Sequence, residues 1–178
     1  MEGYWCLDCR ATVSPRYDLP NAAPEPLRQV QLLLNSTNVE SGEDWLPDWL
    51  AERGLVGELE RARALRGALR SLVLANNGFP LADDPLRVVN AAAERVQLRV
   101  DADGRVHLDP RGDALDAIVA VALAAMLDGT WSRLKACRNC HWSFYDKSPN
   151  RSATWCSMQL CGNRTKTRAY RRRKTASR

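Results

Sequence analysis

Four of the six cysteines in this 178-residue chain have a spacing that would suit a metal ion. Cys137 and Cys140 form a Cys-x-x-Cys pair, and 15 residues separate them from a second pair, Cys156 and Cys161. Two such pairs, brought together by the loop between them, are typical of structural zinc sites. Because four sulfur ligands complete a tetrahedron, no position remains for a catalytic water, and we predict a structural Zn²⁺ ion.

Three alternatives to a four-cysteine zinc site remain open at the level of sequence. His141, next to Cys140, could replace one sulfur, although four cysteines already complete the site. The number of cysteines also allows an iron–sulfur cluster, but the paired spacing favours zinc. The third alternative is four reduced cysteines without a metal. A module of about 35 residues buries too little apolar surface to fold alone, which favours the metal.

The other two cysteines, Cys6 and Cys9, form a further Cys-x-x-Cys pair near the N-terminus. No additional pair remains in the chain to complete a metal site with them. They could contribute half of a site shared by two chains, or form a redox pair. They could also be an accidental pair in a flexible leader, and we expect zinc content to be independent of them.

Charge is distributed very unevenly along the chain. Residues 131–178 contain 13 lysines and arginines and one acidic residue, Asp146, which gives a net charge of +12. Residues 1–130 carry a net charge of −7. An acidic body joined to a strongly basic segment favours a polyanion, such as nucleic acid, as the partner of the basic segment. The alternative is a basic tail that only improves solubility.

The basic residues that follow Cys161 are spaced as they would be on a helix. After Gly162 the sequence contains no helix breaker up to Lys174, which predicts a helix with the second cysteine pair near its start. Phosphates would relieve the mutual repulsion of these cations, and arginine can also bind guanine bidentately in the major groove. The predicted nucleic-acid-binding residues are Arg164, Lys166, Arg168, Arg171 and Arg172.

The periodicity of the apolar residues predicts a mainly α-helical fold. An alternating pattern over residues 95–108, interrupted by the turn sequence Asp101-Ala102-Asp103-Gly104, predicts a β-hairpin. The predicted helices begin at Leu27 and then cover residues 44–52, 58–76, 84–93 and 113–127, the last with an extension to Lys135 that the pattern allows.

These elements divide the chain into three predicted parts. Prolines interrupt residues 1–26, which we expect to form a flexible leader. Residues 27–130 are predicted to form a helical domain with a small β-hairpin. Residues 131–178 are predicted to form a small zinc-stabilised module of a β-hairpin and the basic helix, because residues 141–145 alternate like a strand.

Three polar residues lie within helical segments of the predicted N-terminal domain: Asn35, Arg66 and Asn90. They could converge on a buried pocket for a small effector. The alternative is that they cap helices or face solvent. Motifs of enzymes are scarce, since the sequence has two histidines and no Gly-rich phosphate loop, nucleophile elbow or His-Glu metal motif. We therefore expect a protein that is not an enzyme.

Membrane and export signals are not evident in the sequence. The first 20 residues lack a basic start followed by an apolar stretch, and the most apolar run, residues 115–127, suits a buried helix better than a bilayer. The expectation is a cytoplasmic protein with no membrane partner.

Two groups of residues form patterns that are specific enough to compare with a known family. The C-terminal pattern is Cys137-x-x-Cys140-x-Trp142-x-Phe144-x-Asp146-x-Ser148-x-Asn150, Trp155-Cys156-Ser157-Met158 and Cys161-Gly162-Asn163-Arg164-x-Lys166. The weaker N-terminal pattern is Leu34-Asn35-Ser36, Trp49-Leu50 with Gly54-Leu55, Ala64-Leu65-Arg66 and Asn90-Ala91. The C-terminal pattern resembles the CGNR zinc finger, and the N-terminal pattern resembles the ABATE domain, a helical domain that precedes this finger.

The resemblance implies a stress-induced transcription regulator. On this hypothesis the finger and its basic helix bind double-stranded DNA, and the helical domain senses a small effector or forms a homodimer. One alternative is an RNA-binding or ribosome-associated protein that uses the same helix. A second is a zinc-stapled protein–protein adaptor, in which the basic helix meets an acidic protein.

Overall fold

A computed structural model of the chain describes residues 21–176 and confirms the predicted mainly α-helical class. Residues 21–130 are named the helical unit and residues 131–176 the cysteine module. The helices of the helical unit are α1 (Leu27–Leu34), α2 (Leu46–Ala51), α3 (Leu59–Ala75), α4 (Asp83–Ala93) and α5 (Ala114–Leu127). Its strands form two antiparallel pairs, β1 (Thr37–Asn38) with β2 (Glu43–Asp44) and β3 (Val96–Val100) with β4 (Val106–Pro110). The cysteine module contains β5 (Leu134–Ala136), which pairs with β6 (Ser143–Tyr145), and α6 (Asn163–Ala176).

The helical unit is built around α3 and α5. Apolar side chains three and four residues apart, such as Leu65, Leu69 and Val73, give α3 one buried face, as its sequence predicted. Helix α5 is apolar on most of its faces, and it packs against α1, α4 and the β3–β4 hairpin. Within residues 21–176, no helix has both the length and the apolar character needed to span a bilayer.

Helix α5 begins at a side-chain cap and ends at a glycine. The Asp113 carboxylate accepts hydrogen bonds from the backbone N–H groups of Leu115 (2.9 Å) and Asp116 (3.2 Å). Gly129 follows the helix with a φ of +79°, a conformation that ends helices and that glycine adopts at little cost. The predicted extension of this helix to Lys135 was therefore wrong, because the chain turns at Gly129 and enters strand β5.

The start of the cysteine module completes the core of the helical unit. Trp131, Leu134 and Ala136 are buried in the same apolar cluster as α1, α3 and α5. The first of two asparagines that follow α3 holds this segment. The Asn76 side chain donates hydrogen bonds to the carbonyls of Trp131 and Leu134, both at 2.8 Å. The two parts of the chain are thus joined by packing and by backbone recognition.

Residues 21–26, which the sequence assigned to the leader, pack against both parts of the protein. Ala23 is buried, and its N–H donates to the Gln31 side-chain oxygen at 2.7 Å. The Gln31 amide donates to the Asn21 carbonyl at 3.1 Å, and the Asn21 side chain donates to the Cys156 carbonyl. Cys6 and Cys9 lie outside the described residues, so the prediction about them stays a prediction.

Candidate metal centre and basic helix

The four predicted zinc ligands meet in one buried cluster. The Sγ atoms of Cys137, Cys140, Cys156 and Cys161 all lie within 4.8 Å of one another. Three of the sulfur–sulfur distances are 3.5, 3.5 and 3.7 Å. A tetrahedral zinc ion with Zn–S bonds of about 2.3 Å requires sulfurs roughly 3.8 Å apart. The donor set and its dimensions therefore fit Zn²⁺.

The proximity of the four thiols creates an electrostatic need for a cation. The neighbouring sulfur of Cys137, together with burial, raises the pKa of the Cys140 thiol to about 12. Contacts with Cys137 and Cys140 also raise the pKa of Cys156, whereas the hydrogen bonds that Cys137 receives lower its own pKa. Four thiolates this close together would repel one another strongly. A divalent cation removes that repulsion. The four cysteines could therefore act together as the ligands of one zinc ion.

Local backbone structure brings the first pair of cysteines into position. Cys137 follows β5 directly, and its N–H donates to the Trp142 carbonyl at 2.8 Å. His141 closes the turn, with a φ of +58° and an N–H that donates to the Cys137 carbonyl at 2.9 Å. The hairpin register, in which Leu134 pairs with Tyr145, then returns the chain along β6. The predicted strand over residues 141–145 is confirmed for residues 143–145.

A tight turn at residues 157–162 positions the second pair. The N–H groups of Cys161 and Gly162 donate to the Ser157 carbonyl at 3.0 and 3.1 Å. A Cβ on Gly162 would lie 2.8 Å from the Met158 sulfur and 3.4 Å from a Trp155 ring carbon, so only glycine fits without displacing the Met158 side chain. The turn runs directly into α6, which places the basic helix beside the metal centre.

Aromatic side chains enclose the cysteines. Trp142 and Phe144 are buried against the cluster, and Trp155 packs on it from a half-buried position. Trp45, from the helical unit, also contacts this cluster. This small core is separate from the larger core of the helical unit. His141 packs instead against Phe79, with ring centroids 5.9 Å apart, and does not join the sulfurs.

Asn139 connects the metal centre to the basic helix, a role that sequence reasoning missed. Its backbone N–H points to the Cys137 sulfur at 3.5 Å, and its side-chain N–H points to the Cys161 sulfur at 3.6 Å. Its side-chain oxygen accepts a hydrogen bond from Arg168 at 3.1 Å. The position of Asn139 inside the Cys-x-x-Cys turn was the only available signal. Its amide therefore fixes Arg168 relative to the cysteines.

The predicted nucleic-acid-binding residues lie along α6 in differing environments. Lys166, Arg168 and Arg171 are exposed, and Arg164 is partly exposed. The side chain of Arg172 lies outside the described ones. Helix α6 carries seven lysines and arginines and no acidic residue. The seven residues are Arg164, Lys166, Arg168, Arg171, Arg172, Arg173 and Lys174.

The single acidic residue of the cysteine module is buried and is therefore not part of the module's surface. Asp146 is fully buried, and it forms an ion pair with Lys135 at 2.7 Å. Burial alone would raise the pKa of Asp146, but hydrogen bonds from Lys135 and Ser148 hold it below its ordinary value. Because this carboxylate is matched internally, the described surface of the module presents cations without an opposing acid of its own.

The three residues predicted to form an effector pocket lie in different environments. Asn35 is buried, and it exchanges hydrogen bonds with the backbone of Ser143, at 2.9 Å to the N–H and 2.8 Å to the carbonyl. Arg66 is buried and pairs with Asp44 at 2.6 Å. Asn90 is exposed. The polar groups of Asn35 and Arg66 thus serve internal contacts, and Asn35 joins the helical unit to the cysteine module.

A second contact between the two parts lies at the same end of the hairpin, on Ala136, which pairs with Ser143 across β5 and β6. The Asn77 side chain donates to the carbonyls of Ala136 at 2.8 Å and Thr154 at 3.0 Å. In return, Arg138 donates to the Asn77 carbonyl at 2.9 Å. Asn77 directly follows the helix predicted over residues 58–76, and nothing local in the sequence reveals a partner some 60 residues away.

Comparison with known families gives two matches that together cover most of the chain. Residues 30–130 match the ABATE family, described as "Putative stress-induced transcription regulator", and residues 133–174 match the CGNR zinc finger. A comparison with curated proteins gives no match. The first match alone covers more than half of the chain, and the second includes all four clustered cysteines. The chain therefore belongs to the ABATE family and carries a CGNR zinc finger at its C-terminal end.

Proposed function

We propose that this protein is a transcription regulator that binds double-stranded DNA through the zinc finger and helix α6. The observation that carries the proposal is the one-sided charge of the finger. Its helix holds seven basic residues, while its single carboxylate, Asp146, is buried against Lys135. A surface with cations alone attracts phosphates and releases the counterions bound to them.

The zinc ion would act in this function as a structural element. Cys137, Cys140, Cys156 and Cys161 would hold it, and its charge would stabilise four thiolates and thereby the turn that starts α6. The Asn139 side chain contacts the Cys161 sulfur and accepts a hydrogen bond from Arg168, so it would link the position of Arg168 to the metal centre. The Arg168 guanidinium has further N–H groups that can donate to a phosphate or a base edge. An α-helix has the width to enter the major groove of DNA.

The helical unit is proposed to regulate the finger, by sensing an effector or by forming a homodimer. What supports this is its direct contact with the backbone of the finger at Ser143 and Ala136. Asn35, which the sequence suggested as an effector contact, makes the first of these bonds. A ligand or partner that moved Asn35 would therefore act on the β5–β6 hairpin, which carries the first cysteine pair.

Selection of bound sequences from a random duplex pool would test the proposal directly. The zinc-loaded protein would be used at near-physiological salt, with structured RNA added as a competitor. Enrichment of one duplex motif is the expected result. Preferential capture of the RNA would support the RNA-binding alternative. Absence of any salt-sensitive binding to either nucleic acid would contradict the proposal and leave the adaptor alternative.

A further inference from the structure

The loop between β1 and β2 of the helical unit lies against the first turn of α6. The Glu40 carboxylate accepts a hydrogen bond from the Arg164 guanidinium at 2.7 Å, and the two residues are 124 positions apart in sequence. Their side chains are 29% and 36% exposed, so water and ions reach both. An acidic group of the helical unit therefore contacts one of the cations on which the proposed DNA binding depends.

The local structure of this loop presents Glu40 in a defined position. The Asn38 side chain accepts hydrogen bonds from the N–H groups of Glu40 at 3.1 Å and Ser41 at 3.4 Å. Gly42 closes the turn with a φ of +77°, and its N–H donates to the Asn38 carbonyl at 2.8 Å. The pair β1–β2 is tied to α3 in turn, because Asp44 bonds to Arg66. The backbone that carries Glu40 is thus held against the body of the protein.

A carboxylate and a phosphate offer a guanidinium the same chemistry, namely two anionic oxygens that accept N–H donors. We infer that Glu40 is an affinity-setting residue for α6, which occupies Arg164 in place of a nucleic-acid phosphate and must release it when the phosphate binds. This inference rests on the proposed function. It also assigns to the helical unit a direct means of weakening the finger, beyond holding it in place.

The expected size of the effect follows from the exposure of the pair. Ion pairs between partly exposed side chains contribute little stability. Breaking the Glu40–Arg164 pair should therefore lower the affinity for DNA only about two- to five-fold, relative to a protein without the pair. Because Arg164 contacts the phosphate in the complex whether or not Glu40 is present, the number of phosphate contacts stays the same. The log–log slope for duplex DNA should therefore change little while the affinity rises.

Four variants test the inference in the full-length, zinc-loaded protein: E40Q, R164Q, the double variant E40Q/R164Q, and E43Q as matched control. Glu43 lies on the same strand pair and its carboxylate bonds to Ser41, so E43Q removes the same charge without touching the pair. E40Q should bind duplex DNA about two- to five-fold more tightly with a nearly unchanged slope, and R164Q should cancel this gain in the double variant and flatten the slope by about 0.9. E43Q should change affinity much less.

Two results would overturn the inference. Weaker DNA binding by E40Q would show that the pair positions α6 for binding, and equal gains for E40Q and E43Q would show only a general charge effect. Elution from immobilised heparin, a sulfated polyanion, separates this inference from the proposed function. Later elution of E40Q than of E43Q would support competition for Arg164 even if no variant bound DNA, and in that case only the proposed function would fail.

Discussion

The helical unit and the zinc finger are stabilised in different ways, although they pack together. The helical unit buries large aliphatic side chains, including Leu33, Leu69 and Val119, from several helices. The finger has a separate cluster in which four of the six buried residues are cysteines. A cluster of that composition cannot replace the metal by hydrophobic burial. The comparison indicates that one part folds through its core and the other through its ligands.

Removal of the metal should have the largest effect, and this effect should be confined to the finger. Cys156→Ser, or chelation of zinc, should unfold the finger, because zinc binding contributes on the order of 10 kcal/mol to modules of this kind. The helical unit should keep its helical circular dichroism. Elemental analysis should find one zinc per chain in the wild type and little in the variant. Absence of zinc from wild-type protein purified without chelator would contradict the assignment.

A substitution in the apolar core of the helical unit should affect that unit alone. Leu69→Ala removes a fully buried side chain from α3 and should lower the free energy of unfolding of this unit by about 2–5 kcal/mol. The zinc content should be unchanged, because Leu69 does not belong to the cysteine cluster. Chemical denaturation followed by far-UV circular dichroism measures the first quantity. A loss of zinc at native conditions would show that the two cores are not independent.

The contact between the two parts provides a test of intermediate size. Asn77→Ala removes the side-chain amide that donates to the carbonyls of Ala136 and Thr154, which should cost about 1–3 kcal/mol. Asn90→Ala is the matched control, since Asn90 is exposed and its replacement should cost under about 0.5 kcal/mol. Both numbers come from denaturation midpoints. Equal effects of the two variants would mean that Asn77 does not hold the finger in place.

Sequence periodicity was sufficient where structure is locally determined. The helices, the β3–β4 hairpin and the four clustered cysteines follow from apolar spacing, turn residues and ligand spacing, all of which act over short distances. The helix predicted over residues 113–127 matches α5. Only its optional extension to Lys135 was wrong, and it was allowed because apolar residues continue past Gly129. A glycine in that position was the signal for the correct end.

Polar residues were harder to interpret, since their partners are distant in sequence. Asn35 and Arg66 suggested a pocket, yet they bond to Ser143 and Asp44. Asn139 gave no signal beyond its place between two cysteines, although it touches both a sulfur ligand and Arg168. A side-chain amide or guanidinium has no periodicity that reveals which backbone group it will meet.

The proposed function requires that helix α6, built onto the zinc centre, contacts the phosphates of DNA. This contact is tested by the salt dependence of binding to duplex DNA by R168A/R171A, with K166A/R173A as control. At about 100° per residue, positions 168 and 171 share one side of α6, and positions 166 and 173 lie on the opposite side. Both variants lose two charges, and alanine preserves the helix.

If this side of α6 meets DNA, R168A/R171A should flatten the log–log slope by roughly two units, at about 0.9 per lost phosphate contact. K166A/R173A should change the slope less, and the zinc content of both variants should match the wild type. An unchanged slope in R168A/R171A, with zinc fully bound, would contradict the claim that this side of the helix meets DNA.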